Sequence, residues 1–370
     1  MKKILLIFGT RPEAIKMAPI VKGFQNCKQN FDVKICVTAQ HRQMLDQVLH
    51  FFEIVPDYDL NLMRPGQNLY QLTADVITGL KPILEEFKPD YVFVHGDTTT
   101  STAAALAAYY AGSKICHIEA GLRTYNKYAP FPEEMNRQIT GRLTDIHFSP
   151  TEKSKENLES EGIIKDVYVP GNTVIDALLY ATDKLQSYSD EETDELEKNI
   201  DFTKKIILVT GHRRENFGEG FINICNALLE LSEQPDVEIV YPVHLNPNVT
   251  DPVHSILGKK ANIKLIKPLA YPAFVWLMNK SYILLTDSGG VQEEAPSLGK
   301  PVLVMRDTTE RPEAIEAGTV KLVGTDKEKI IKETKDLLNN IDYYNTMQKK
   351  HNPYGDGNAV KKIINIIKEK

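Results

Sequence analysis

The sequence predicts an α/β protein made of two Rossmann-like, doubly wound domains that face a cleft. Short β-branched and aromatic runs alternate with longer helical stretches through the first half of the chain, which is typical of repeated strand–helix units. The same alternation begins again near residue 205. A chain of 370 residues also suffices for two domains of ordinary size.

Ten segments are predicted as strands, five in each half. In the first half they are 3–8, 33–38, 91–95, 114–118 and 167–169, and in the second half 205–209, 238–243, 263–266, 282–285 and 301–305. We expect a first domain at 1–170, a linker region at 171–202 that contains the acidic segment 187–201, and a second domain from 203. Ligands of doubly wound sheets bind beyond the carboxyl ends of the strands, so the turns after these strands are where a site is expected.

Composition and charge exclude several classes of protein. There are 44 Lys and Arg against 50 Asp and Glu, a formal net charge of -6, so we expect neither a nucleic acid nor a membrane as partner. The four cysteines include no Cys-x-x-Cys pair, which argues against a zinc ribbon or disulfide framework and favours the reducing cytoplasm. The apolar run at 4–8 is too short for a signal peptide or a membrane span. We therefore expect a cytoplasmic protein.

The turns after the strands carry no familiar cofactor motif. Neither a Gly-x-Gly-x-x-Gly fingerprint nor a Gly-x-x-x-x-Gly-Lys-Ser/Thr loop occurs, so we expect no tightly held dinucleotide and no P-loop ATPase. No His-x-x-x-His or His-Glu-x-x-His spacing occurs either, and we expect no metal.

The turn Asp287-Ser-Gly-Gly290 has the composition of a diphosphate cradle. Its small residues would let a phosphate approach N–H groups at a helix start, and Glu294 could accept the hydroxyls of a ribose. A plainer interpretation makes Glu294 an ordinary first-turn acid. Positive charge for a diphosphate would come from four cations, and a stacking shelf for a base from one aromatic ring: Arg11, Lys16, Arg213, Arg311 and Phe274.

Four side chains in or beside strand-end loops are candidates for acid and base catalysis: Asp97, Glu119, Glu133 and His212. Arg137, four residues after Glu133, could pair with it, which is the structural alternative to catalysis. His95 and His117 lie within strand patterns and are interpreted as core residues. Carboxylates, cations, an aromatic shelf and the cradle together indicate an enzyme that acts on a nucleoside-diphosphate sugar.

Seven longer motifs span the chain, at 9–19, 38–46, 95–98, 117–123, 211–217, 242–247 and 286–296. Together they resemble the family of non-hydrolysing UDP-N-acetylglucosamine 2-epimerases. This resemblance implies the glycosyltransferase B-type fold, with a C-terminal helix at about 357–370 completing the first domain and the second domain ending at 356. It also implies interconversion of UDP-GlcNAc and UDP-ManNAc without a cofactor, by anti elimination of UDP to a 2-acetamidoglucal and readdition of UDP.

Roles for individual residues follow from the same resemblance. The catalytic positions of the family match Asp97, Glu119, Glu133 and His212. Of these, we choose Asp97 and Glu119 as the acid and base. His212 and Arg213 would stabilise charge on the departing diphosphate. Nucleotide-binding positions match Arg11, Lys16, Phe274, Ser288, Gly289, Gly290, Glu294 and Arg311. Leu269 stands where some relatives carry glutamine, so contact with the uracil would come from its backbone.

The family resemblance further implies an allosteric site and a homodimer. A second UDP-GlcNAc would bind as activator through Gln40, Gln43, Gln67 and His244. The product would supply ManNAc units for a bacterial surface polysaccharide.

Four other functions stay open at the level of sequence. A hydrolysing epimerase would release free ManNAc and UDP, a glycosyltransferase of the same fold would use an acceptor, and an epimerase for another UDP-sugar would share most motifs. A non-catalytic sensor of nucleotide sugars would bind UDP-GlcNAc without turnover.

Overall fold

The computed structural model describes residues 1–39, 42–64 and 66–370. Contacts within the chain divide it into two units, which we call unit 1 (Met1–Ala177 and Tyr354–Lys370) and unit 2 (Leu178–Pro353). Each unit is built on its own parallel sheet with alternating helices. The predicted α/β class with two Rossmann-like sheets is therefore confirmed.

Unit 1 alternates strands and helices along the chain. Its strands are β1 (Lys2–Phe8), β2 (Phe31–Val37), β3 (Tyr58–Asp59), β4 (Tyr91–His95), β5 (Lys114–Ile118), β6 (Ile146–Phe148) and β7 (Val167–Tyr168). Its helices are α1 (Arg11–Gln25), α2 (Arg42–Phe51), α3 (Leu69–Phe87), α4 (Thr99–Tyr110), α5 (Glu133–Leu143), α6 (Glu152–Ser160), the first part of α7 (Thr173–Lys184), and the C-terminal helix α16 (Ala359–Glu369).

Unit 2 repeats this alternation. Its strands are β8 (Lys205–Thr210), β9 (Val237–Pro242), β10 (Ile263–Ile266), β11 (Ile283–Thr286), β12 (Val302–Val304) and β13 (Val320–Leu322). Its helices are α8 (Glu191–Asn199), α9 (Glu219–Leu231), α10 (Pro247–Leu257), α11 (Tyr271–Lys280), α12 (Gly289–Glu294), α13 (Pro312–Glu316), α14 (Lys327–Asn339) and α15 (Ile341–Gln348), with short 3-10 turns at Arg214–Asn216 and Ala295–Leu298.

Strand order gives each sheet a point where the winding reverses. The orders are β3-β2-β1-β4-β5-β6-β7 in unit 1 and β10-β9-β8-β11-β12-β13 in unit 2. The chain moves outward from β1 to β3 and then returns to place β4 on the other side of β1, and β8 and β11 stand in the same relation. The loops after these neighbouring strands diverge, and the crevice beyond them is where doubly wound folds bind ligands.

Apolar strands and small helical residues build the two cores. Ile4 to Phe8 of β1 are fully buried, as expected for a parallel strand covered on both faces. Alanines of α4, including Ala104 and Ala108, are buried in the core of unit 1 beside residues of α3. In unit 2 the buried face includes Ile207, Ile239 and Leu285 from three adjacent strands.

The C-terminal helix belongs to unit 1 by its contacts. Ile363 and Ile367 are fully buried, and a Cβ placed on Gly23 of α1 would lie 2.6 Å from the side chain of Ile364. Asp176 of α7 accepts hydrogen bonds from the first two N–H groups of α16, which otherwise have no partner within the helix. The close approach of α1 and α16 therefore depends on a glycine.

All ten predicted strands are present, within two residues at each end. β3, β6 and β13, which contain two or three residues each, were not predicted. Helices α7 and α8 occupy most of the segment 171–202, which the sequence assigned to a linker, and the division by contacts falls within α7. The domain limits given from the sequence remain our proposal.

Candidate active site

A buried carboxylate joins two loops at the switch point of unit 1. Glu13, 2% exposed, accepts hydrogen bonds from the backbone N–H groups of Gly9 and Thr10 at 3.0 and 2.7 Å. Its other oxygen accepts from the hydroxyls of Thr98 and Ser101 at 2.6 and 3.0 Å. Because these partners follow β1 and β4, Glu13 holds one loop against the other.

Asp97 follows β4 and lies near two other predicted carboxylates. Arg137 of α5 contacts one of its oxygens through Nε and Nη2, at 2.9 and 2.8 Å. Burial raises the pKa of Asp97, Arg137 opposes that rise, and Glu119 and Glu133 add to it. A carboxylate whose pKa is raised is a stronger base than an ordinary aspartate. The structure thus brings three of the four predicted catalytic residues together in unit 1.

Glu119 follows β5 and is held at both carboxylate oxygens. Lys16 of α1 donates to Oε1, Asn172 lies 3.5 Å from the same oxygen, and Nε2 of His95 lies 3.3 Å from Oε2. Its φ of +62° lies in the left-handed region, which residues other than glycine seldom adopt. Such strain is maintained only where surrounding contacts compensate for it, and these contacts fix the direction of the carboxylate.

The imidazole beside Glu119 is neutral. Burial lowers the pKa of His95 to about 4, and the charge of Glu119 opposes that shift only in part. Nε2 of His95 lies close to Glu119, but neither ring nitrogen makes a hydrogen bond within the described residues. His95 was interpreted from sequence as a core residue, and it is buried at 4% exposure, but it also contacts a candidate catalytic group.

Glu133 begins α5, and its Oε2 is buried without a hydrogen-bond partner in the part of the chain that the structure describes. The pairing of Arg137 with Glu133, the structural alternative to catalysis, is not among the ion pairs of the described residues. Arg137 contacts Asp97 and, at 3.2 Å, Oε2 of Glu134. An i,i+4 argument considers only one helix, whereas β4 brings Asp97 to the same guanidinium from elsewhere in the chain.

In unit 2 the loop after β8 is anchored by Asp287, which follows β11. Asp287 is fully buried, and its Oδ2 accepts from the backbone N–H groups of His212 and Arg213, both at 2.8 Å. The His212 ring is 44% exposed and stacks on His244, with ring centroids 5.1 Å apart. Burial lowers the pKa of His212, Asp287 opposes this, and His244 and Arg213 add to it.

The predicted diphosphate cradle follows β11. In the sheet of unit 2, β11 lies next to β8, the strand that precedes the loop with His212 and Arg213. Ser288 precedes α12, and its N–H donates to Thr286 at 2.9 Å. A Cβ placed on Gly289 would lie 3.6 Å from Nη2 of Arg311, and one on Gly290 would lie 3.8 Å from Oε2 of Glu294. The cation and the carboxylate that were predicted for phosphate and ribose therefore both border the glycine turn.

The other predicted nucleotide-binding residues lie on both units. Arg11 begins α1 in unit 1, and Leu269 precedes α11, which carries the half-buried Phe274, in unit 2. The Nε atom of Arg213 is buried and has no hydrogen-bond partner among the described residues. Lys16, predicted to bind the nucleotide, contacts Glu119 in this structure.

The predicted activator residues are only partly within the described chain. Gln40 lies outside the described residues. Gln43 is exposed on α2, and Nε2 of Gln67 is buried and lacks a hydrogen-bond partner among the described residues. His244 stacks on His212, so a predicted activator residue touches a predicted catalytic one.

Sequence reasoning overlooked the roles of Glu13, His95 and Asp287. The spacing of Thr10 and Glu13 is a capping-box signal, and the structure forms that box, but nothing local shows that Glu13 also reaches Thr98. Asp287 was read only as the first residue of the cradle. Within the described ranges, no group of three or more His, Cys, Asp or Glu is arranged to hold a metal ion, and no helix is long and apolar enough to cross a membrane.

The fold and the position of the polar residues define the class of protein first. Two sheets with the Rossmann strand order carry their carboxylates, cations and glycine turn at the switch points, which is the architecture of α/β enzymes that bind nucleotides. Comparison with known proteins then defines the family.

A family model described as UDP-N-acetylglucosamine 2-epimerase matches residues 25–368. The UDP-N-acetylglucosamine 2-epimerase of Campylobacter jejuni is 58% identical over 373 residues, covering 99% of this chain and 97% of the relative. The crystal structure of UDP-GlcNAc 2-epimerase from Neisseria meningitidis bound to UDP-GlcNAc is 53% identical, with a TM-score of 0.89 and full coverage of both chains. The Methanocaldococcus jannaschii enzyme in complex with UDP-GlcNAc and UDP is 33% identical, with a TM-score of 0.79 and full coverage of both. The chain belongs to the UDP-N-acetylglucosamine 2-epimerase family.

Proposed function

We propose that this protein is an isomerase that interconverts UDP-GlcNAc and UDP-ManNAc without hydrolysis and without a redox cofactor. UDP would leave by anti elimination to give a 2-acetamidoglucal, and its readdition with a proton on the other face of C2 would invert that centre. The related structures from N. meningitidis and M. jannaschii, which bind UDP-GlcNAc, support the choice of substrate.

The observation that carries the proposal is the group of carboxylates in unit 1. Epimerisation by elimination needs one group to remove the C2 proton and another to deliver a proton to the opposite face. Glu119 and Glu133 both act electrostatically on Asp97, so more than one carboxylate is available for these two transfers. We assign Asp97 and Glu119 as the acid and base.

Contacts of the two residues suggest different tasks for them. Glu119 is contacted by the ammonium of Lys16 at one oxygen and by the imidazole of His95 at the other. Asp97 has a raised pKa because it is buried, despite its contact with Arg137, which suits it better to accept a proton. These contacts support Asp97 as the group that removes the C2 proton from UDP-GlcNAc.

As UDP leaves, negative charge accumulates on its diphosphate. We propose that His212, Arg213 and Arg311 stabilise it, because electrostatic stabilisation of a leaving group is a large part of such catalysis. The turn Ser288-Gly289-Gly290 would place backbone N–H groups at the phosphates. The side chains of Arg11, Phe274 and Glu294 and the backbone of Leu269 would complete nucleotide binding.

The remaining parts of the proposal rest on the sequence and on the family resemblance. A second UDP-GlcNAc would act as an activator through Gln40, Gln43, Gln67 and His244. The protein would be a homodimer and would work in the cytoplasm. Its product would supply ManNAc units to a bacterial surface polysaccharide.

Proton NMR of the purified protein with UDP-GlcNAc in D₂O tests the reaction. The expected result is the anomeric signal of UDP-ManNAc, with deuterium at C2 and no free sugar. Free ManNAc with UDP would instead identify a hydrolysing epimerase. An unchanged spectrum would overturn the proposed substrate and favour another UDP-sugar or a transferase.

A further inference from the structure

The two carboxylate oxygens of Asp287 differ in their hydrogen bonds. Oδ2 accepts the N–H groups of His212 and Arg213, and the amide of Asn216 lies 3.5 Å from it. Oδ1 is buried and has no hydrogen-bond partner among the described residues. Burying a carboxylate oxygen without a hydrogen-bond donor costs free energy. The groups around Oδ1 therefore indicate which donor it could accept from.

Among the described residues, the His212 ring is the potentially cationic group that lies within 4 Å of that oxygen. Nδ1 of His212 lies 3.7 Å from Oδ1 of Asp287. The other charged or titratable groups that influence His212 are His244, whose ring is stacked on it at 12° between planes, and Arg213. Asp287 is therefore the acidic group facing this imidazole, at a distance slightly longer than a hydrogen bond.

We infer that Asp287 is a positioning residue for His212, accepting a hydrogen bond from Nδ1–H so that Nε2 points to the diphosphate of the ligand. This inference rests on the proposed function, in which His212 stabilises the departing diphosphate. The bonds from Oδ2 to the loop hold the backbone of His212, and Oδ1 orients its ring, so one carboxylate controls both.

The chemistry of the leaving group explains why a carboxylate is suited to this position. When UDP departs, negative charge develops on the phosphate, and an imidazolium stabilises it better than a neutral ring. Asp287 stabilises that cation from the Nδ1 side, while the Nδ1 proton stays on the ring and Nε2–H donates to a phosphate oxygen. An asparagine could still accept the loop N–H groups, but its amide has no charge and would favour the other tautomer.

The test is the ionisation of His212 in the presence of saturating UDP. The protein is labelled with ¹³C at the histidine ring, and H212N identifies the resonance among the nine histidines. In D287N we expect the midpoint of the His212 titration to fall by about one pH unit or more, and kcat for UDP-GlcNAc to fall with little change in KM. N216A is the matched control: it loosens the same loop without removing charge, so its His212 midpoint should equal that of the wild type.

Each outcome bears on the inference separately from the proposed function. An unchanged midpoint in D287N, or an equal fall in N216A, overturns the role of Asp287. If D287N does not fold, the ¹⁵N shifts of the wild-type ring with UDP decide: a proton on Nδ1 supports the inference, and a neutral ring protonated only on Nε2 overturns it. Absence of any turnover by the wild-type protein would refute the proposed function instead.

Discussion

Three buried histidines on adjacent strands should make the sheet of unit 1 sensitive to mild acid. His95, His117 and His147 lie on β4, β5 and β6, and His117 is the register partner of His147. Burial lowers the pKa of His95 and His117 to about 4 and that of His147 to about 3. Nδ1 of His147 has no hydrogen-bond partner among the described residues.

The direction of the effect follows from linkage. An unfolded histidine takes up a proton near its ordinary pKa of 6.5, whereas the folded protein keeps His147 neutral to much lower pH. The stability that depends on neutral His147 is therefore complete above about pH 6.5 and is lost as the pH falls from there toward the folded value. The loss is about 1.4 kcal/mol per pH unit for one such group, or roughly 2 kcal/mol by pH 5.

Substitution of His147 by glutamine tests this magnitude. His147→Gln keeps a polar end group but cannot titrate, so its unfolding free energy should fall less steeply between about pH 6.5 and 5 than that of the wild type, by about 1.4 kcal/mol per unit. Hydrogen exchange of the amides in β5 and β6, corrected for the chemical exchange rate, reports this free energy. The overall level of stability can differ, because the slope is the quantity compared.

His254→Gln is the matched control. His254 is exposed on α10 of unit 2, so its loss should leave the pH slope in β5 and β6 unchanged. A slope in His147→Gln equal to that of the wild type would refute the reasoning, because it would mean that His147 is not held neutral by the fold. A changed slope in His254→Gln would show that the effect is not local to the buried group.

Three further tests concern the candidate active site. Asp97→Asn and Glu119→Gln should each lower kcat by about 10² or more while UDP binding by calorimetry stays within a few-fold, and near-normal turnover in both would remove them from the mechanism. Arg137→Gln removes the charge that opposes the raised pKa of Asp97, so the acid limb of kcat should move to higher pH; a limb that does not move would mean that Asp97 does not titrate in turnover. Gly289→Ala should leave thermal unfolding unchanged, since the added Cβ would meet Arg311 only at 3.6 Å, but should weaken UDP binding about tenfold if a phosphate approaches that backbone. Unchanged affinity would exclude such an approach.

The sequence predicted the alternation of strands and helices better than their arrangement. Continuous apolar runs such as the one in β1 are legible because a parallel strand is buried on both faces. The order of the strands is not encoded in any local pattern, so the switch points between β1 and β4 and between β8 and β11 emerged only from the structure. They explain why polar turns far apart in the sequence form compact groups within each unit.

Candidate site residues could be selected from their position just after a strand. Their ion-pair partners could not be predicted from sequence spacing. Asp97 and Glu119 were selected as candidates because each follows a recognisable strand. The partners of Arg137 could not be predicted from the sequence, because the choice among Glu133, Glu134 and Asp97 depends on where β4 lies relative to α5. His95 looked like a core residue and is one, and only the three-dimensional register of β4 and β5 brings it to Glu119.

The two units fix their switch-point loops by the same physical means with different residues. Glu13 in unit 1 and Asp287 in unit 2 are each buried and accept two consecutive backbone N–H groups from the loop after the first strand of the sheet. The repeated segment Arg-Pro-Glu-Ala-Ile at 11–15 and 311–315 does not mark this equivalence, because its first copy follows β1 and its second follows β12. Charge-assisted bonds to backbone amides are among the stronger hydrogen bonds, and they leave the side chains of these loops to face a ligand. A buried carboxylate that accepts the backbone N–H groups of a loop fixes the position of that loop. The candidate catalytic and binding side chains on the loop are thus held in place before a substrate arrives.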